Sequence, residues 1–257
     1  GLGSRRNMEQ LIQSGRITVN GRVATIGTRV DSNDTVRVDK RVIKLSFVPE
    51  LPRVIVYHKP EGEIVSRADP EGRPSVFDKL PAIRSAKWIA VGRLDYNTSG
   101  LLMFTNSGEL ANRLMHPKFE VEREYAVRIL GRLKPEQMRQ LRKGIQLDDG
   151  LAKVESIEDQ GGEGANHWYR IVLKEGRNRI VHRIIEALGF TVSRLIRVRF
   201  GTVSLPPRLK RSGFVELGGR QVAEIMGWLG LSYTIPSNPA VARGKKAVCI
   251  SEPPTTR

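Results

Sequence analysis

The chain has 257 residues, of which 39% are hydrophobic and 27% charged, and this composition excludes a wholly disordered protein. No apolar run approaches the roughly 18 residues of a membrane-spanning helix, and no hydrophobic targeting segment leads the sequence. The single cysteine, Cys249, excludes an internal disulfide and a cysteine-rich zinc site. These features predict a soluble protein of a reducing compartment, the cytoplasm.

The charge balance indicates a polyanionic partner. Lys and Arg number 43 against 27 Asp and Glu, which gives a net charge of +16. Nucleic acid is the commonest partner of such a chain. An anionic membrane surface would favour a basic amphipathic helix or a lipidation motif, and the sequence contains neither. A generally basic surface without a specific partner stays open at this point.

Residues 1–48 form a small basic module with nine Lys or Arg against four Asp or Glu. Ser4 is the predicted N-cap of a helix that Gly15 ends. Asn20-Gly21 between two strand-like runs predicts a hairpin, because both turn positions need positive φ. The module begins abruptly at Gly1, so we expect an earlier helix of it to be missing.

A proline-containing linker at residues 47–52 separates this module from a second domain, assigned to residues 49–218. Mixed strand and helix order with hairpin-like spacings favours an α+β fold, with a mixed, largely antiparallel sheet flanked by helices. Residues 219–257 are predicted to be a short helix and a disordered tail. We predict strands at 53–57, 88–93, 100–105, 122–130, 168–173 and 192–200, and helices at 107–115, 135–143 and 178–188.

The segment most informative about chemistry is "GRLDYNTSGLLMF", which begins at Gly92. It places Asp95 in a polar loop between two apolar strands, where a rigid scaffold can present a reactive group. The alternative is a structural turn in which the carboxylate accepts nearby backbone N–H groups. Spacing alone favours the turn.

Longer motifs change that balance. The stretch "GRITVNGRVATIGTRVDSNDTVRVD" resembles the RNA-binding module first described in ribosomal protein number four of the small subunit. "GRLDYNTSGLLMFTNSGELANRLMHP", "EREYAVRI" and "EGRNRIVHRIIEALGFTVSRLIRVRFG" together resemble the RsuA-type ribosomal RNA pseudouridine synthases. The resemblance implies that the chain isomerises a specific uridine to pseudouridine in ribosomal RNA, after the base is flipped out, and we expect that RNA to be of the large subunit.

The resemblance also implies roles for individual residues. Asp95 matches the catalytic nucleophile or base, and Tyr125 matches the aromatic residue that stacks on the target base. Arg93 matches an arginine that inserts into the RNA stack, although a phosphate contact remains an alternative. Strand packing is the alternative role of Tyr125, because it alternates with polar residues.

The family places a cation beside the aspartate, normally Arg or Lys, and here that position holds His182. We hypothesise that His182 pairs with Asp95, which should raise the histidine pKa, with Arg183 or Arg179 as a substitute. Lys59, Pro60 and Val181 match residues that pack around the active site. RNA contacts are predicted for Arg93, Arg5, Arg6, Arg16, Arg177, Arg179, Arg194, Arg197 and Arg199. Arg197 and Arg199 should share one face of a strand, by the two-residue period.

The resemblance implies no cofactor, since the isomerisation is neither a redox reaction nor a hydrolysis, and the scattered histidines show no metal-binding spacing. The expected partner is a stem-loop of large-subunit ribosomal RNA, with no membrane and no small-molecule cofactor. A monomer is expected, since nothing suggests an interface. Two other functions remain open: a ribosome-assembly protein that binds RNA without catalysis, and a glycosidase that releases uracil.

Overall fold

The computed structural model of the chain describes residues 3, 5–45, 51–83 and 86–233. The chain forms two compact units, a small one that ends at Leu51 and a larger one from Pro52 to Leu231. Ser4, most of the predicted linker and the predicted disordered tail lie outside the described residues. Within those ranges no helix is both long enough and apolar enough to cross a membrane.

The N-terminal unit is a helix with a four-stranded antiparallel sheet, in the order β2-β1-β3-β4. Helix α1 spans Arg5–Gln13, and strands β1 to β4 span Ile17–Val19, Arg22–Val23, Val36–Val38 and Arg41–Ile43. The predicted hairpin is confirmed, because Asn20 and Gly21 have φ values of +51° and +81°, as a type I′ turn requires. A buried cluster around Ile17 and Val36 forms the small core of this unit.

The larger unit contains the long strands and helices that the sequence predicts, with ends shifted by one or two residues. Its strands are β5 Val54–Lys59, β6 Ile89–Val91, β7 Thr98–Thr105, β8 Arg123–Leu130, β9 Ile145–Leu147, β10 Gly150–Ala152, β11 Ser156–Asp159, β12 Asn166–Leu173, β13 Thr191–Phe200, β14 Val203–Ser204 and β15 Phe214–Glu216. Its helices are α2 Gly108–Met115, α3 Pro135–Lys143, α4 Ile180–Glu186 and α5 Gly219–Trp228, with 3-10 helices at Val76–Lys79 and Pro117–Phe119. The prediction missed β9, β10, β11, β14 and β15, which are too short to show a period.

Nine strands form one sheet, in the order β11-β12-β8-β13-β7-β5-β15, with β14 beside β13 and β6 beside β7. The pairing of β13 with β7 is parallel, and the other pairings described in this sheet are antiparallel. The α+β fold with a mixed, largely antiparallel sheet is therefore confirmed.

Helix α4 packs on the face of the sheet that holds the main core. Its Ile184 and Ile185 lie in one buried cluster with Val127 and Ile129 of β8, which confirms the alternation predicted for that strand. The helix begins at Ile180, two residues later than predicted, because Arg179 has a left-handed φ of +47°. Helix α5 belongs to this same unit, since its inner face is buried.

One row of residues crosses four adjacent strands of the sheet. Lys59 of β5 pairs with Gly100 of β7, Gly100 pairs with Arg197 of β13, and Arg197 pairs with Tyr125 of β8. These residues are far apart in sequence, and only the strand register brings them together. The row lies beside the loop that carries Asp95, and this loop directly precedes β7 in the chain.

The prediction that Arg197 and Arg199 share a face is wrong. The pairing of β13 with β8 shifts between these two residues, so that Arg197 lies opposite Tyr125 and Arg199 lies opposite Glu124. A β-bulge adds one residue to a strand and so reverses the alternation that follows it. Arg197 is consequently buried among the core residues, whereas Arg199 is bonded to Glu122 and Glu124.

Candidate active site

A cavity of about 680 Å³ opens between the loop before β7, strand β8 and the segment that leads into α4. Its lining includes side chains from all three motifs that resemble the pseudouridine synthases. They are Arg93, Asp95, Tyr125, Arg177, Arg179, Val181, His182 and Arg197, together with Arg123 and Phe200. Of the residues predicted to pack around the site, Val181 is buried in this wall, whereas Pro60 is half-buried outside it.

Asp95 is half-buried at the edge of this cavity. Its backbone carbonyl closes a turn by accepting from the Thr98 N–H at 3.0 Å. No hydrogen bond or ion pair joins its carboxylate to another residue in the described part of the chain. The structure therefore does not support the alternative in which the carboxylate accepts nearby backbone N–H groups, and the carboxylate is available for chemistry.

Lys59 holds the backbone of the Asp95 loop from below. Its side chain is 0% exposed, and its ammonium donates to the carbonyl oxygens of Thr98, Pro60 and Asp95 at 2.8, 2.9 and 3.0 Å. Burial lowers the pKa of Lys59 to about 8, although Glu63 and Asp95 oppose the shift. Lys59, predicted to be a packing residue, instead fixes the loop by hydrogen bonds.

The hypothesis that His182 forms an ion pair with Asp95 is not supported. His182 is buried and no hydrogen bond joins it to Asp95; its Nδ1 has no hydrogen-bond partner among the described residues. Burial and the charge of Arg179 lower the histidine pKa, and Asp95, which raises it, does not outweigh them. The predicted rise in pKa is therefore wrong, because the desolvation cost of an imidazolium exceeds the attraction of a carboxylate at this site.

The proposed substitutes for His182 are bonded elsewhere. Arg183 donates to the carboxylate of Asp149 at 2.8 Å, in the turn between β9 and β10. Arg179, at the left-handed position before α4, lies 3.7 Å from the carboxylate of Glu186. Neither guanidinium forms an ion pair with Asp95, so the structure assigns neither to the position that the resemblance reserves for a cation.

Tyr125 and two buried arginines also line the cavity. Arg197 is 3% exposed, and its Nε donates to the Leu101 carbonyl at 2.8 Å. The guanidinium carbon atoms of Arg123 and Arg197 lie 5.1 and 4.9 Å from the centroid of the Phe200 ring. No described carboxylate forms an ion pair with either arginine, so both guanidinium groups lack an ion-pair partner in this part of the structure. The sequence analysis did not single out Arg123, although it lies two residues before Tyr125 in the same motif.

Several arginines predicted to bind RNA are held by carboxylates of the protein. Arg177 bonds Glu175 and Asp149, and so ties the β9–β10 turn to the loop before α4. Arg194 lies 3.7 Å from Glu61. In the N-terminal unit, Arg5 bonds Glu9 and Arg16 bonds Asp39, at 3.0 and 2.7 Å.

Two predicted RNA contacts are free. Arg93 at the cavity mouth and Arg6 on α1 are exposed, and neither has an ion-pair partner within the described ranges. Exposed pairs such as Arg5–Glu9 are weak and can exchange for a phosphate, whereas the Arg177 network holds together two segments of the fold. The free and weakly paired arginines are therefore the better candidates for RNA contact.

Among the described residues, no group of three His, Cys, Asp or Glu side chains lies close enough together to hold a metal ion.

Comparison with known proteins relates both units to characterised families. The RNA pseudouridylate synthase family matches residues 53–187, and the S4 domain family matches residues 1–36. A crystal structure of a pseudouridylate synthase aligns with a TM-score of 0.61 and 22% identity, over 86% of this chain and 94% of its own, and so shares the fold.

Three relatives carry the name ribosomal large subunit pseudouridine synthase B. The protein of Salmonella typhi is 51% identical over 249 residues, which cover 96% of this chain and 86% of that protein. The Escherichia coli K12 protein is 49% identical over the same shares. The Yersinia pestis protein is 54% identical over 220 residues, which cover 84% of this chain and 69% of that protein.

Proposed function

Because the chain belongs to the RNA pseudouridylate synthase family, we propose that it isomerises a uridine of large-subunit ribosomal RNA to pseudouridine, with Asp95 as the reacting group. The observation that carries this proposal is the presence of the Asp95 carboxylate and the Tyr125 ring in one cavity. The carboxylate is unpaired, and the cavity can hold a nucleoside.

Asp95 can react in either of two ways. Its carboxylate attacks the sugar carbon C1′ and displaces uracil, or it takes the proton of C2′ and leaves a glycal. In both routes the carboxylate must be ionised, and Lys59 beneath the loop supplies a positive charge near it. When C5 of the turned base bonds to C1′, the carboxylate is released from C1′ in the first route and returns its proton to C2′ in the second.

Tyr125 offers a flat surface for the base, and Val181 and Leu195 offer apolar contacts in the same cavity. Stacking tolerates the rotation that the detached uracil must undergo, because it depends little on directional hydrogen bonds. The glycosidic carbon is inaccessible in a stacked helix, so the uridine must be extruded. We propose that Arg93, which is exposed and lines the cavity, fills the gap that the base leaves in the RNA stack.

The remaining contacts are assigned to RNA binding. We propose that residues 1–48 act as a separate RNA-binding module, in which Arg5, Arg6 and Arg16 contact phosphates. Such contacts position an RNA without reading its sequence and weaken with salt. We further propose that the protein acts as a monomer in the cytoplasm on a stem-loop whose target base is unpaired.

The test is incubation of the full chain with large-subunit ribosomal RNA that carries no modifications, followed by mapping of pseudouridine and assay of free uracil. We expect one or more new pseudouridines and no uracil. Release of uracil would indicate a glycosidase, and binding with neither product would indicate an assembly protein without catalysis. Either result would overturn the proposal.

Lys59 predicts an alkaline limit on activity. The ammonium has three N–H groups for three close carbonyl oxygens, whereas the neutral amine has two, so activity should fall as pH rises through about 8. The native pKa lies below the unfolded value of about 10.5, so the unfolded chain binds more protons between these values. The contribution of Lys59 to the free energy of unfolding therefore rises with pH while activity falls.

Lys59→Met is the matched variant for this effect. It should lose at least about 100-fold in single-turnover rate, since a loop misplaced by about 1 Å costs that much. Its residual activity should show no fall near pH 8. An alkaline fall of the same size in both proteins would contradict the assignment to Lys59.

His182 predicts a second pH effect. The lowered pKa means that His182 gains its proton at a lower pH than a free imidazole does. In the parent, the charge near Asp95 therefore changes as the pH falls, whereas in His182→Arg it is constant. Single-turnover rates between pH 5 and 8 should show an acidic inflection in the parent that His182→Arg lacks. Superimposable profiles would exclude an influence of His182 on the reaction.

A further inference from the structure

The guanidinium of Arg197 is buried without an ion-pair partner among the described residues. It is 3% exposed, makes a hydrogen bond from Nε to the Leu101 carbonyl, and no described carboxylate pairs with it. Burying an unpaired charge is costly, and a cation–π contact with Phe200 offsets only part of that cost. Because the group is costly to the folded state, its presence indicates a role in function rather than in stability.

The unsatisfied polar atoms of the described residues concentrate at this cavity. Three buried side-chain atoms lack a hydrogen-bond partner there: Thr98 Oγ1, His182 Nδ1 and Arg197 Nη2. All three residues line the cavity that holds Asp95 and Tyr125. Buried polar groups are otherwise almost always paired, so this cavity is built around polar atoms of a ligand.

The position of Arg197 favours a contact with the flipped base over a contact with an RNA phosphate. It lies directly opposite Tyr125 in the sheet register, and the Tyr125 hydroxyl raises the pKa of Arg197 while burial lowers it. The cavity wall beside it is formed by Leu195, Val181 and Phe200. A phosphate chain stays in solvent, whereas a flipped uracil enters the cavity, where the Arg197 guanidinium and these apolar side chains lie together.

We propose that the Arg197 guanidinium stabilises the uracil anion that forms when the glycosidic bond breaks, by donating an N–H to a uracil carbonyl oxygen. This inference rests on the proposed function and adds a catalytic residue to it. A preorganised cation in a buried site acts where charge develops and costs no reorganisation during the reaction.

The bond changes balance without an external reactant. The C1′–N1 bond breaks and its electron pair moves to N1, where it spreads onto the two carbonyl oxygens. Asp95 meanwhile bonds C1′ or takes the C2′ proton. After the base turns, C5 bonds to C1′, Asp95 is released or returns the proton to C2′, C5 loses its proton, and N1 gains one.

The experiment compares one RNA hairpin with either uridine or 5-fluorouridine at the target position. Fluorine stabilises the uracil anion, so the reaction of 5-fluorouridine depends less on an external cation. Arg197→Met should bind both hairpins as the parent does and lose roughly 10²–10³-fold in single-turnover conversion of uridine. The loss of single-turnover rate should be clearly smaller with 5-fluorouridine. That reaction is followed by digesting the RNA and measuring the disappearance of 5-fluorouridine.

Other outcomes separate the alternatives. Equal losses with both bases would show that Arg197 is only structural, and weakened binding would show that it contacts the RNA backbone; either overturns the proposal. Arg197→Lys keeps a charge in a smaller side chain and replaces Arg197→Met in the experiment if that variant does not fold. Its loss of single-turnover rate should also be smaller with 5-fluorouridine than with uridine. The exposed Arg220→Met on α5 is the matched control and should convert both bases as the parent does. An inactive parent enzyme would instead refute the proposed function itself.

Discussion

Asp95→Asn is expected to bind ribosomal RNA as the parent does and to form no detectable pseudouridine. An amide oxygen neither bonds a sugar carbon nor takes its proton at a useful rate, so the loss should be at least about 10⁴-fold, as for other essential nucleophiles. The substitution is almost isosteric. Because the carboxylate bonds no described residue, folding should be unaffected.

Asp148→Asn is the control for this change. It removes the same charge from an exposed turn outside the cavity, so it should retain full activity. Pseudouridine should be mapped after long incubations with both variants, and RNA affinity measured at a stated salt concentration. A residual rate of more than about 1% in Asp95→Asn would exclude Asp95 as the reacting group.

Gly100→Ala is expected to prevent folding of the larger unit or to destabilise it by more than about 4 kcal/mol. A Cβ at this position would lie 2.2 Å from the Arg197 carbonyl oxygen and 2.6 Å from its amide nitrogen. Both are backbone atoms in the centre of the sheet, so neither can move aside. Gly100 also has a φ of +111°, which other residues rarely adopt.

Gly227→Ala provides the contrast. This glycine lies in α5 with no atom within 4 Å of the position of a new Cβ, and its φ is not positive. Alanine there should stabilise the protein by about 0.5–1 kcal/mol. Urea unfolding of the three proteins tests both values. A Gly100→Ala variant of parental stability would show that β7 and β13 are not as close as described.

Most of the regular structure was predictable from local pattern. The alternation in β8, the helical spacing in α4 and the Asn20-Gly21 turn each reflect a short-range rule, and each is present. The loop that carries Asp95 was also recognisable, because its motif is local. Short strands such as β9 and β10 escaped prediction, since three residues show no period.

The electrostatics of the site were not predictable in this way. His182 occupies a cation position in the motif, but the structure buries it and lowers its pKa. Lys59 is predicted from the sequence to be a packing residue, but its ammonium donates the hydrogen bonds that hold the backbone of the Asp95 loop. In each case burial and long-range contacts decide the outcome, and neither is visible in the neighbouring residues.

By itself the sequence determined the family, the basic character, the main strands and helices, and the identity of Asp95 as the candidate reacting residue and of Tyr125 as the candidate stacking residue. The tertiary structure decided which charges act together. A one-residue bulge in β13 turns Arg197 into the cavity and Arg199 onto the other face. The physical reason is that side-chain direction in a sheet depends on register, and register is set by pairing with strands far away in the sequence.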